Sequence, residues 1–163
     1  MPTLNYSTTV PVARTVGEVQ DMLARHGAAA VAVRYAGGRP VGVTFVLSTP
    51  HGQRSFTLPV DVDAVHRLLI AEGKAGRLKR AGTAKHTSPE HAARVAWRVL
   101  KDWLEAQLAI IDAQMATLDQ VMLPYLHVDG DITLYQVYRE REQLLDTGPN
   151  RPVQVEGRDS VRS

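Results

Sequence analysis

Two hydrophobic periods alternate along the chain, and the places where they change mark its elements. From Ser88 to Leu126 apolar residues recur at helical spacing. One row runs through Ala96, Val99, Trp103, Ala106 and Ile110, and a second through Trp97, Leu100, Leu104, Leu108, Ile111 and Met115. The opposite side carries Arg94, Arg98, Lys101, Asp102, Glu105 and Asp112, with Arg98/Asp102 and Lys101/Glu105 placed at i,i+4. Ser88, Pro89 and Glu90 supply a capping hydroxyl, a proline at the first helical position and an acid near the positive end of the helix dipole. A helix is therefore expected from there at least to Gln114. Its apolar arc is wider than one sheet contact requires.

Between Ala30 and Leu58 the period is two. Val31, Val33 and Tyr35, then Val41, Val43, Phe45 and Leu47, then Phe56 and Leu58 alternate with small or polar neighbours, which predicts three antiparallel strands. The connections, Ala36 to Pro40 and Thr49 to Gln53, hold the Gly and Pro that hairpin turns use. Tyr35, Phe45 and Phe56 share the apolar side, which places them in a core. The other side (Arg34, Thr44, Ser55, Thr57) is left open.

Ahead of these strands, Tyr6 to Val12 is β-branched and aromatic and reads as a first strand, with Pro11 at its end. Thr15 and Glu18 have capping-box spacing for a helix stopped by Gly27. After the strands, Asp61 caps a helix that turns Val62, Val65, Leu68 and Leu69 inward and ends at Gly73. Lys74 to Thr87 reads as a mobile loop. Beyond the long helix, Thr117 and Gln120 form a second capping box, Pro124 stops or kinks the chain, Asp129 to Asp131 turn, and Ile132 to Arg139 fits a strand or a short helix equally well. The polar residues 146–163 are expected to be disordered. The architecture expected is α+β: a β-α-β-β-β sheet layer covered on one face by helices, followed by a long C-terminal amphipathic helix, in a single domain over residues 1–145.

Composition adds limits. At 163 residues, 44% hydrophobic and 22% charged, the chain can bury a core unaided. Without cysteine it has no disulfide, thiolate zinc site or cysteine nucleophile. The amino terminus lacks the basic flank and apolar run of a signal peptide, and no later run is long and uncharged enough to span a bilayer, so a cytoplasmic location is expected. The formal net charge is +2, so any affinity for polyanions depends on how charge is distributed. Lys74, Arg77, Lys79, Arg80 and Lys85 fall within fourteen residues that contain no acid. With Arg94 and Arg98 on the following helix they could track a phosphate backbone.

The two tryptophans, six residues apart, lie about 120° from each other around a helix and cannot enter one narrow seam. Trp97, Trp103, Leu104 and Ile111 are therefore the expected oligomer interface, against the alternative that they are core. His66, His86 and His91 gather near the helix start, but no metal-ligand spacing joins them. Asp61/Asp63 and Asp129/Asp131 read as cap and turn residues. No nucleophile elbow, phosphate-binding glycine loop or dinucleotide fingerprint occurs. A non-enzymatic protein without metal or cofactor is expected.

At TTVPVARTVGEVQDML, TPHGQRSFTLPV, ARVAWRVLKDWLEAQLAIIDAQM and VMLPYL the chain resembles a family of small uncharacterised proteins of bacteriophages and prophages. The resemblance covers most of Thr8 to Tyr138, excluding the basic loop. It implies a phage-like setting, in which such proteins serve DNA replication and recombination or disable host defences. Two functions follow as expectations. One is a homo-oligomeric, largely sequence-independent DNA-binding protein of phage replication or recombination, with single strands and duplex both open as its target. The other is a protein-binding inhibitor or adaptor directed at a host factor.

Overall fold

The computed structural model describes residues 2–78 and 83–145. Among them are helix α1 (Val12–Arg25), strands β1 (Ala30–Ala36), β2 (Arg39–Thr49) and β3 (Gly52–Pro59), and helices α2 (Val62–Lys74), α3 (Thr83–His86), α4 (Pro89–Asp112) and α5 (Leu118–Met122). A 3-10 turn (Leu123–Tyr125), a small hairpin of β4 (His127–Asp129) and β5 (Ile132–Thr133), and helix α6 (Leu134–Leu145) follow. The class is α+β. Residues 146–163, expected to be a disordered tail, lie outside the described residues.

The three strands form an antiparallel meander in the order β1-β2-β3. Its register is fixed by the apolar alternation together with two tight turns. Gly37 and Gly38 both take positive φ (55° and 75°), as a two-residue loop between paired Ala36 and Arg39 requires. At the other end Thr49 pairs with Gly52, whose φ is 93°, and the Thr49 hydroxyl accepts from the His51 N–H and donates to the Gly52 carbonyl. Val43, Phe45, Leu47, Phe56 and Leu58 are buried on one face. Tyr35 is not with them. The β1/β2 register shifts between Arg34 and Tyr35, and the ring is 64% exposed rather than in the core.

The predicted first strand is absent. Residues 4–7 form turns and residues 8–11 run irregularly into α1. The Thr15/Glu18 capping box does not form either. The helix begins four residues earlier behind Pro11, with no capping side chain, and this puts Thr15 inside the helix, fully buried. Proline's fixed φ provides the entry in place of a hydroxyl. The stop at Gly27 is as expected: it has φ of 87°, its N–H donates to the Ala24 carbonyl, and the Ala28 N–H donates to that of Leu23. In α2 the same pattern sits at Gly76 rather than Gly73, and Leu68 is 46% exposed rather than inward.

Helix α4 lies at the centre. Toward its C-terminal end Leu104 and Leu108 pack with Val19 and Leu23 of α1, the buried sheet face and Met122 of α5. At mid-length Ala96 and Trp97 meet Val16, Val60 and Val62. Near its start Ala92 and Val95 meet Leu69 of α2 and Tyr6. The broad apolar arc is thus consumed within one chain, and its breadth does not call for a second subunit. Trp97 and Leu104, expected at an oligomer interface, are fully buried core residues. Trp97 Nε1 donates to the Pro40 carbonyl at 3.2 Å, which meets the polar need of a buried indole. Trp103 and Ile111 are half-buried against the same core, and Trp103 meets Tyr125 edge to face at 5.6 Å. The long helix is not the end of the fold either. It stops at Asp112, Gln114 takes φ of 58°, and the Thr117/Gln120 capping box forms and starts α5. Ile132 to Arg139 is strand for two residues and helix thereafter.

Candidate nucleic-acid interface

The basic stretch is partly built into the body. Lys74 is the last residue of α2, where its cation also suits the negative end of the helix dipole. The Gly76 turn follows, and Leu78 returns to the interior at 3% exposure. Lys85 belongs to the single turn α3. Lys79 and Arg80 lie outside the described residues. The expectation of a plain mobile loop over Lys74 to Thr87 therefore needs correcting: helix occupies both of its ends, and Leu78 is anchored.

What holds this region is a set of long-range hydrogen bonds that sequence reading missed. His66 Nε2 donates from α2 to the Thr87 carbonyl at 2.8 Å, just ahead of the Ser88 cap. His91, 2% exposed, donates its Nε2 proton to the Tyr6 carbonyl, and the Tyr6 ring stands edge-on to His86 at 5.5 Å. The Thr3 N–H donates to the buried Glu72 carboxylate at 3.0 Å, and Asn5 Nδ2 donates to Asp102 at 2.7 Å. Residues 3–6 thus strap the end of α2 to the start and middle of α4. The three histidines do converge, as fasteners to backbone carbonyls and rings. Among the described residues no group of three or more His, Asp or Glu could hold a metal ion.

Lys74, Arg77 and Lys85 are exposed on this lobe, and none is ion-paired with a carboxylate among the described residues. The two helix arginines differ. Arg98 Nη1 lies 2.5 Å from Glu18, with only 18% of its side chain exposed, so it is a strut between α4 and α1 rather than a free cation. Burial pushes the Glu18 carboxyl up, but the hydrogen bonds and charges of Arg98 and Arg14 outweigh it and hold the group below the usual carboxylate range. Arg94 is half-buried and lines a cleft of about 280 Å³ with Arg39, Pro40, Val62 and Glu90. Glu90 is 3.8 Å from Arg39 there. The expected phosphate track therefore breaks up along α4, where carboxylates interleave with the cations.

A second polar group lies on the sheet face opposite the core, where Thr57, expected to be open, is buried and Thr44 and Ser55 are half-buried. The Thr44 and Thr57 hydroxyls are 2.8 Å apart, and Thr57 is 2.7 Å from Nε2 of His127. A hydroxyl against an imidazole is the geometry of an activated nucleophile. Here Thr57 is buried, 6% exposed, and among the described residues no carboxylate bonds the other ring nitrogen. The arrangement ties β4 to β3, alongside the isolated bridge between Phe56 and Leu126.

No described helix is long and apolar enough to cross a membrane. No family model, curated protein or solved structure matches the chain.

Proposed function

We propose that the chain is a non-enzymatic protein that binds nucleic acid through its phosphates, with little sequence preference. The reading rests on one observation: Lys74, Arg77 and Lys85 stand exposed and unpaired among the described residues, on a lobe held in place from three sides. Lys79 and Arg80 belong to the same acid-free stretch. Clustered cations bind phosphates by releasing condensed counterions, a mechanism that reads charge density and not bases. Among the described residues of the lobe no aromatic platforms stand in a row, so base stacking adds little and single strands hold no large advantage over duplex. In the phage-like setting that the resemblance implies, this activity would serve replication or recombination. Fluorescence anisotropy with labelled single- and double-stranded oligonucleotides over a salt series tests it. Binding should be tight at low salt and fall steeply as salt rises; absence of binding at low salt would remove the proposal.

A second reading, an inhibitor or adaptor for a host protein, draws on the open sheet face, where Ala30, Ala32, Arg34, Ser48 and Gln53 are exposed. It requires a dedicated protein partner and no salt-dependent binding of oligonucleotides, so the same titration separates the two.

A further inference from the structure

Helix α6 carries an outward stripe that the described residues leave uncovered. Tyr135, Tyr138, Arg139 and Glu142 stand at i, i+3, i+4 and i+7, and so share one face. The tyrosines are 52% and 51% exposed, and the arginine and glutamate side chains 62% and 54%. The two rings stack on each other at 6.4 Å, and Arg139 Nε lies 4.0 Å from Glu142. The inner side of α6, through half-buried Leu134 and Val137, meets the 3-10 turn and β5. None of its described side chains enters a buried core cluster. Val128 and Ile132 of the adjoining hairpin, 46% and 41% exposed, extend the apolar surface. At 12 residues α6 has the length at which a helix without packing is marginal in water.

The chemistry of the stripe selects its occupant. It reads aromatic, aromatic, cation, anion from its N-terminal to its C-terminal end. Laid antiparallel on a second copy of itself, about a two-fold axis between positions 138 and 139, each end meets the other kind. The guanidinium of Arg139 covers the ring of Tyr138 across the axis, and the Tyr135 hydroxyl donates to Glu142. A parallel copy would set like on like. An isologous contact needs one self-complementary surface, and this stripe is one. We propose that the chain self-associates through α6 as an antiparallel helix pair in which Tyr138 faces Arg139 of the second copy and Tyr135 faces its Glu142. The pairing stands independently of nucleic-acid binding, and it takes over the interface role that burial denies to Trp97 and Leu104.

The chain has no cysteine, so single-cysteine variants report proximity cleanly. Sedimentation of the full chain over a concentration series should pass from the mass of one chain to that of two. Tyr138→Cys, beside the axis, should form a disulfide-linked dimer under mild oxidation far faster than Glu140→Cys on the opposite face. Tyr138→Arg should lose the mass doubling while keeping the far-ultraviolet dichroism of the folded chain; if it loses that dichroism, Tyr135→Ser replaces it with the same expected loss. A wild type that keeps the mass of one chain throughout overturns the proposal. So do equal cross-linking at 138 and 140, or a folded stripe variant that still doubles its mass.

Discussion

Single residues show how little room the core leaves. A Cβ on Gly42 would stand 2.8 Å from the Leu58 carbonyl oxygen of the neighbouring strand, backbone that cannot swing aside. Gly42→Ala should therefore destabilise the chain by about 1–3 kcal/mol in urea unfolding, the usual cost of overpacking. Truncating Trp97 to Ala should cost about 3–5 kcal/mol, since a fully buried ring and its bond to Pro40 are both lost. The same change at half-buried Trp103 should cost clearly less, whereas equal costs would contradict the placement of the two rings. His26, at the C-terminal end of α1, has both ring nitrogens against acceptors, Asp112 at 3.0 Å and the Met22 carbonyl at 2.8 Å. The Asp112 hydrogen bond first, then that to Met22, raise its pKa above the ordinary imidazole value, because only the imidazolium can donate to both. This contribution is complete below the unfolded-state value of about 6.5 and fades as pH rises through the folded one. Asp112→Asn should therefore lower the melting temperature more at about pH 5.5 than at about pH 8.5.

Elements were legible where a period runs uninterrupted. The meander from Ala30 to Leu58, its two turns and the long helix from Ser88 all follow from alternation, glycines and a three-part start signal. The misreadings came where local signals were outvoted by tertiary contacts. Tyr6 to Val12 has strand composition, but Tyr6 gives its carbonyl to His91 and Thr3 gives its N–H to Glu72. These are bonds across 85 and 69 positions, and no window of sequence displays them. Thr15 and Glu18 have capping spacing, yet Glu18 serves Arg98, eighty residues away. The arc of α4 was visible, but its breadth reflects several partners in the same chain rather than a subunit contact. At this scale, Arg98→Met should cost about 1 kcal/mol of stability, by parting α4 from α1. It should leave the salt dependence of oligonucleotide binding as in wild type, because the residue is a strut. A reduced salt slope would return it to the phosphate track.

The molecule as a whole sets one acid-free basic stretch apart from a body in which acids and cations are mixed. Carboxylates match cations along α1 and α4, in the pairs of Arg14 and Arg98 with Glu18 and of Lys101 with Glu105. The end built from the close of α2, α3 and the start of α4 keeps its cations unmatched among the described residues. That division was half visible in the sequence: the acid-free stretch was plain, while the neutralisation of Arg98 needed the fold. If two copies join through α6, each brings one basic end, and a long polyanion engaged by both is held more tightly than by either. The claim on which the functional account depends is that the basic end contacts phosphates. The most direct measurement is the log-log slope of oligonucleotide affinity against salt, for wild type and for the Lys74→Gln, Arg77→Gln, Lys85→Gln triple variant. Each phosphate contact contributes about 0.9 to that slope on duplex DNA, so the triple variant should show a slope shallower by about 2–3, with weaker binding at every salt concentration. Equal slopes in the two proteins would contradict it.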